Sequence, residues 1–370
     1  MRVLHVMASA ARGGGAEHLA GLLPELVRLG IDCPAAVGTD GPLGDRLRRL
    51  GIGTQAIDLM RSRADPAAPA RLRRVVRRAS PDLVHYHGTR AAFFGAAARA
   101  LPGMPPAIYA VHGLSYRKEM PRWRRPVFLA AEAVACRGLA GIVSVSAADL
   151  EDLIRRGFAS AEHALHLPNA VDSERFSPGG RPEARRRLGV PEDAYIVGTT
   201  SRLVPQKSVG DLIAAVAACP EALLVVAGDG AQRPALERRA RALGGRVRFL
   251  GERDDVPEIL RALDVFALAS RWEGEAISLL EAMATSIPCV ATATTGAREV
   301  LEATGAGLLV EIGSPAPLAV ALRRLRERPD LRLSMGLAGR EAVKERTWGA
   351  SAARLAGFYE RSATRRPARP

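Results

Sequence analysis

The sequence predicts an α/β chain of two Rossmann-like domains, each a parallel sheet covered by helices. Three observations predict it. At 370 residues the chain is longer than one hydrophobic core usually serves. Short apolar, β-rich runs alternate with longer helical patterns, the signature of parallel strands joined by helices. The alternation breaks once, within 171–194, where SPGGRPEARRRLGVPEDA is rich in Pro, Gly and charge and carries no strand pattern.

In the first series the strand-like runs are Val3–Met7, Ala35–Val37, Asp82–His87, Ala107–His112 and Ile142–Ser146. In the second they are Tyr195–Thr200, Leu223–Ala227, Val247–Leu250, Val265–Ala269 and Cys289–Ala291. Helical patterns fall between them, as at Glu17–Leu29, Asp149–Arg156, Val209–Ala218, Arg233–Leu243 and Val256–Ala262. The expected organisation is a first domain over 1–172, a linker with one short basic helix over 173–194, and a second domain over 195–346. A terminal helix, 347–362, packs back on the first domain, and 363–370 is expected to be a disordered tail. In such domains ligands meet the carboxyl ends of the strands.

The formal net charge is +14, which favours anionic partners such as phosphates, nucleic acid or a membrane surface. A solvated, Arg-rich surface accounts for most of that excess. Aromatic residues are only 4% of the chain, so the core must be built from Ala, Val, Leu and Ile. The four cysteines, Cys33, Cys136, Cys219 and Cys289, are far apart and form no C-x-x-C pair, which argues against a disulfide framework or a cysteine-bound zinc. The N-terminus reads as a strand followed by glycines, without a charged leader and cleavage site. No run of 18 uncharged apolar residues occurs, so a cytoplasmic protein, free or at a membrane surface, is expected.

Four groups of residues stand out. In EGEAISLLEAMA, Glu273 and Glu281 flank seven residues, and Glu281 falls on or beside the apolar stripe formed with Ile277, Leu280 and Ala284. A carboxylate there needs a partner. Ser270…Glu273 and Ser278…Glu281 both fit a helix capping box, and one helix cannot start twice. In SRLVPQKSVG, Arg202 and Lys207 occupy a strand-to-helix corner, where a planar fork and a point charge suit a diphosphate. In RGGGAE, Gly14 and Gly15 would let backbone N–H groups approach an anion, although a tight turn alone also explains them. The pattern is not G-x-G-x-x-G, because position 18 is His. His85, His87 and His112 end two apolar strands; His85 reads as core, His112 as functional, and His87 is left open. No Asp-x-Asp occurs, so no metal held by phosphate and that motif is expected.

Together these motifs resemble the retaining glycosyltransferases of the GT-B fold, family 4. The resemblance runs over nearly the whole chain, through RVLHVMASAARGGGAEHLAGL, DLVHYHGTRAAFFG, AIYAVHGLSY, TSRLVPQKSVGDLIAA, LLVVAGDG, VRFLGERDDVPEIL and ASRWEGEAISLLEAMATSIPCVAT. The E-x7-E and R-x4-K pieces are its most specific parts. It implies two parallel sheets facing across a deep cleft. It implies transfer of a sugar from a nucleotide-diphosphate donor, a UDP-sugar or GDP-mannose, to a hydroxyl acceptor, with no cofactor. The acceptor would be a glycan or lipid-linked saccharide of cell-envelope, lipopolysaccharide or exopolysaccharide synthesis. Under it, Glu273 binds donor-sugar hydroxyls, Glu281 faces the ribose, and Arg202 and Lys207 hold the diphosphate. His112 lines the sugar and acceptor side. Gly14, Gly15, Gly228, Gly274, Ala276 and Ile277 line the donor, with the base read near Arg253. Displacement proceeds on one face of the sugar, the departing phosphate helping to deprotonate the acceptor. The chain departs from the family at Gly274-Glu275-Ala276, where an extra carboxylate is expected to alter sugar preference, and at TTGAREVL.

Two basic segments, Arg71–Arg78 and Arg117–Arg125 with Trp123, suit an anionic membrane surface as partner; a solvated surface explains them equally. Other readings are a non-catalytic nucleotide-sugar-binding protein and a GT-B sugar-nucleotide epimerase. Nucleic acid is not an expected partner, since the motifs of that class are absent.

Overall fold

The computed structural model describes residues 1–62, 64–100 and 102–364. The chain forms two compact units, Met1–Asn169 with the segment from Trp348 on, and Ala170–Thr347. In the first unit seven parallel strands are β1 (Val3–Met7), β2 (Ala35–Val37), β3 (Thr54–Ala56), β4 (Leu83–His87), β5 (Ala107–Val111), β6 (Gly141–Ser144) and β7 (Ala164–His166). Their order is β3-β2-β1-β4-β5-β6-β7. The order reverses between β1 and β4, and that crevice is where a doubly wound sheet receives ligands.

Alternation along these strands sorts side chains to two faces. Leu4, Val6, Val84 and Tyr86 enter one core with Leu72, Val75 and Val76 of helix Ala68–Ala79 and with Phe94 of helix Thr89–Arg99. Val3, Met7 and Leu83 enter the other, with Leu19, Leu22, Leu23 and Leu26 of helix Gly14–Arg28. Leu355, Phe358 and Tyr359 of the terminal helix Trp348–Ala363 close that second face. Burying such a side chain stabilises by about 1.5–3 kcal/mol, enough for three of them to anchor the helix. Gly21 lets the two helices meet, since a Cβ there would lie 2.3 Å from the Trp348 ring.

The second unit holds β8 (Tyr195–Thr200), β9 (Ala222–Ala227), β10 (Val247–Gly251), β11 (Val265–Leu268), β12 (Cys289–Thr292) and β13 (Gly307–Val310). Their order is β10-β9-β8-β11-β12-β13, all parallel, with the reversal between β8 and β11. The segment read as a linker is packed into this unit. Its helix, Arg181–Leu188, carries a buried Arg185 that donates to the Asp264 carboxylate at 2.7 Å and to Ala262 O at 3.1 Å. Much of its surface is exposed, as at Pro178–Pro182, Arg186–Arg187 and Pro191–Asp193, while Phe176, Ala184, Arg185 and Val190 are buried. Of the tail read as disordered, Ala363 ends the terminal helix and 365–370 lie outside the described residues. Among the described residues, no helix is long and apolar enough to cross a membrane.

Candidate active site

In the second unit the reversal point is built by the loops after β8 and β11. The loop after β8 is laced to the end of β9 by Ser201 N–H to Ala227 O at 2.9 Å and Leu203 N–H to Asp229 O at 2.8 Å. Gly228, at φ 135°, permits this approach, because a Cβ would lie 2.0 Å from Ser201 O. Buried Leu203 then plugs the loop, and Arg202 is left exposed with no side-chain partner among the described residues.

A short 3-10 turn, Pro205–Lys207, turns Lys207 toward the loop after β11. Its Nζ donates to Glu273 Oε1 at 2.5 Å, and the two side chains are only 13% and 10% exposed. Two further bonds tie the loops: Gln206 Nε2 to Trp272 O at 2.9 Å and Arg271 N–H to Gln206 O at 2.8 Å. A nearly buried pair pays desolvation on both ions, so close geometry is required to hold it. Glu273 Oε2 has no protein partner among the described residues and can accept a hydroxyl.

Helix Ile277–Ala284 begins four residues after Glu273, with Ala276 as its N-cap and no side-chain capping bond. Neither Ser-x-x-Glu pattern therefore caps it, which leaves both glutamates unexplained by helix initiation. Its leading N–H groups follow directly on Ala276. Glu281 is half-buried on this helix. Gly296 is demanded by packing: a Cβ there would sit 1.7 Å from Gly274 O. Four hydroxyl oxygens, of Thr200, Ser201, Ser270 and Thr294, are buried without a hydrogen-bond partner. They stand at or just beyond the carboxyl ends of β8, β11 and β12. Orphaned buried hydroxyls are rare, and their gathering at one sheet edge marks it as a place for a polar ligand.

One expectation, that for Glu275, is corrected here. Glu275 was expected to alter sugar preference, but its side chain is 2% exposed and pairs with Arg346 at 2.6 Å, so it serves packing. Arg253 is engaged within its own loop, where Nε and Nη2 reach both oxygens of Asp255 at 2.7 and 2.5 Å. That bond holds the Asp255 carboxyl below its usual range.

In the first unit the glycine turn follows β1. Gly13 rather than Gly14 takes the positive φ, at 146°, while Gly14 faces open space and Gly15 packs on Met7, whose Cε would be 3.1 Å from an added Cβ. Close to it the fold gathers five of the seven histidines. His5 and His85 are register partners on β1 and β4, and His87, two residues on, shares their face. His5 Nδ1 lies 3.0 Å from His87 Nε2, and His87 Nδ1 lies 3.2 Å from His112 Nε2. His18, from helix Gly14–Arg28, bonds through Nδ1 to Asn169 Oδ1 at 2.9 Å. His85 is core, as read, and bonds to the Tyr359 hydroxyl at 2.7 Å. Burial holds these rings neutral, taking His5 and His112 down to about 3 and His18 to about 4.

The reading of the sequence missed His5 and His18, and expected no metal ligands. Nitrogens of His5, His85 and His87, and of His18, His87 and His112, form two sets, each within 4.8 Å of one another. The available signal was His-x-His on a strand, which puts both rings on one face.

Residues 180–342 match the glycosyl transferases group 1, and residues 13–170 match the glycosyl transferase 4-like domain. A GDP-mannose-dependent alpha-mannosyltransferase of Mycobacterium tuberculosis is 30% identical over 361 residues, 92% of this chain and 90% of that protein. A UDP-Gal:alpha-D-GlcNAc-diphosphoundecaprenol alpha-1,3-galactosyltransferase of Escherichia coli is 28% identical over 69% of this chain and 68% of its own length. For two further relatives the chain spans 58% and 51% of the relative's length. HepE of Anabaena, solved with UDP-glucose, superposes with a TM-score of 0.85 at 24% identity, covering 97% of this chain and 99% of that one. That likeness speaks for the fold; the two family matches and the mannosyltransferase speak for the sequence, and the chain belongs to the glycosyl transferases group 1, on the GT-B fold.

Proposed function

We propose that the protein transfers a sugar from a nucleotide-diphosphate donor to a hydroxyl acceptor with retention of the anomeric configuration. The observation that carries this reading is the Lys207–Glu273 pair, which joins the loops after β8 and β11 where the strand order of the second unit reverses. Arg202 and Lys207 meet the charge that grows on the departing diphosphate, helped by the leading N–H groups of helix Ile277–Ala284. Glu273 accepts from donor-sugar hydroxyls, Glu281 from the ribose, and His112 serves the acceptor side. The bond from the anomeric carbon to the phosphate oxygen breaks as the acceptor oxygen bonds to that carbon on the same face. The acceptor proton passes to the phosphate. The reading uses no cofactor and no metal on the phosphates, in keeping with a chain that has no Asp-x-Asp. Relatives named for UDP-galactose and GDP-mannose support both UDP-sugars and GDP-mannose as donors.

Thermal stability against UDP-, GDP-, ADP- and dTDP-sugars tests the donor. At about 100 times the dissociation constant, the right nucleotide stabilises by about 2.7 kcal/mol, and Lys207→Ala abolishes the gain. No gain with any of them would count against the reading. The anomeric coupling of the product, read by NMR, decides retention; an inverted product overturns it.

The acceptor is proposed to be lipid-linked, with the first unit at an anionic membrane surface. Trp123 and Val127 are 70% and 66% exposed, ringed by exposed Arg122, Arg124 and Arg125. Arg71 and Arg117 contribute less than their sequence positions implied, since Asp65 pairs with Arg71 at 2.5 Å and Asp149 with Arg117 at 2.9 Å. Flotation with anionic vesicles at physiological salt tests this, and failure to float removes it.

A further inference from the structure

We propose that His18, His87 and His112 form a binding site for a divalent transition-metal ion of the zinc class. The nitrogens of this set already lie within 4.8 Å of one another, and His87 Nδ1 and His112 Nε2 are 3.2 Å apart. Zinc–nitrogen bonds of about 2.0–2.1 Å in a tetrahedron put ligand nitrogens about 3.4 Å apart, so small ring rotations complete the set. Three imidazoles without a thiolate or carboxylate suit zinc, copper or nickel rather than magnesium or calcium.

Two of the three rings are oriented as a metal requires. The bond from His18 Nδ1 to Asn169 Oδ1 fixes the proton on Nδ1 and leaves Nε2 as a lone pair. His87 is oriented by its neighbours too: its Nε2 lies 3.0 Å from His5 Nδ1, and its Nδ1 faces His112 Nε2 at 3.2 Å, where an ion would replace the proton the two rings share. Such outer partners fix tautomer and ring angle, and they are what separates a ligand set from a chance cluster. His112 is partly exposed, whereas His18 and His87 are 4% and 3% exposed. An ion therefore has a way in past His112 and an open fourth position on that side. The neighbouring set of His5, His85 and His87 is buried throughout. It offers no such entry. Because His112 is also assigned to the acceptor side, an ion here gives zinc a means to slow transfer; that clause alone rests on the proposed function.

The test is binding rather than activity. Full-length protein without a histidine tag is titrated with Co2+, read by the intense visible bands of a four-coordinate ion, and with Zn2+ by calorimetry. The expected result is one ion per chain. His112→Gln and His18→Gln should each abolish the four-coordinate Co2+ spectrum. Asn169→Ala, which touches no metal, should weaken Zn2+ binding by about 10- to 100-fold. His163→Gln, outside the cluster, should bind as the parent does. Circular dichroism establishes that each variant is folded, and His112→Gln, altered at the partly exposed ring, decides if the buried positions do not tolerate change. Absence of one bound ion per chain in the folded parent overturns the proposal. So does a Co2+ spectrum that survives both His18→Gln and His112→Gln.

Discussion

The two units share a plan, a doubly wound parallel sheet whose strand order reverses once, but they furnish that reversal with opposite chemistry. All seven histidines lie in the first unit and none in the second. At the β1/β4 reversal, neutral rings stack and bond to one another. At the β8/β11 reversal stand a lysine, a glutamate and orphaned hydroxyls. The chain has three lysines among 53 basic residues, so Lys207 is a departure from its habit of using arginine. A compact ammonium fits the nearly buried position beside Glu273, where a guanidinium would demand more partners. The lesson is that a common scaffold supplies the location, while the residues at the strand ends decide whether it holds charge or neutral donors.

The largest effect that could break this comparison is acid. Burial lowers His5, His18, His85, His87 and His112 below their ordinary value of 6.5. The unfolded chain therefore binds more protons than the folded one once the pH drops under 6.5, and stability falls with it. Each such ring removes up to about 1.4 kcal/mol per pH unit until its folded pKa is reached. Between pH 6.5 and 4 the first unit should lose hydrogen-exchange protection before the second. Simultaneous loss in both would end the comparison.

Next in size is Lys207→Ala, expected to lower the transfer rate by about 10²–10³ while leaving the first unit's protection unchanged. Steady-state kinetics with the donor identified by thermal shift measures it, and a loss under tenfold would remove Lys207 from the leaving-group role. Glu275→Ala sharpens the contrast within the second unit. It strands Arg346, which is 25% exposed, so the cost is about 2–3 kcal/mol, below the 3–5 of a fully buried pair. Urea denaturation reads that cost, and donor affinity in the folded variant should match the parent. The smallest change is Trp123→Ala, which should alter stability by less than about 0.5 kcal/mol yet reduce vesicle binding. A large loss of stability would mean that Trp123 is structural.

Much of the framework was legible because its signals are local. The runs Val3–Met7, Ala35–Val37 and Tyr195–Thr200 are strands with those bounds. The edge strands Thr54–Ala56, Ala164–His166 and Gly307–Val310 escaped, being three or four residues long and without a distinctive pattern. Lys207 and Glu273 could be singled out because each sits in its own short motif, although 66 residues separate them. Glu275 was misjudged for the converse reason: its partner Arg346 lies 71 residues on and belongs to no motif. The histidine cluster draws on β1, the helix after it, β4 and the end of β5, so beyond His85-x-His87 no spacing announces it. Arg185 shows the same limit, since only Asp264, far along the chain, turns a basic linker into a packed helix.

The chain enters the second unit at Ala170 and leaves it at Thr347, and the two crossings touch, Val171 N–H donating to Arg346 O at 2.9 Å. The second unit is thus a cassette inserted into the first, with its ends side by side. Exchanging this module for another of its kind at the two crossings would cut no strand of either sheet. The first unit has no equivalent freedom: a fragment stopping at residue 169 would lose the helix that carries Tyr359 and caps the histidine face.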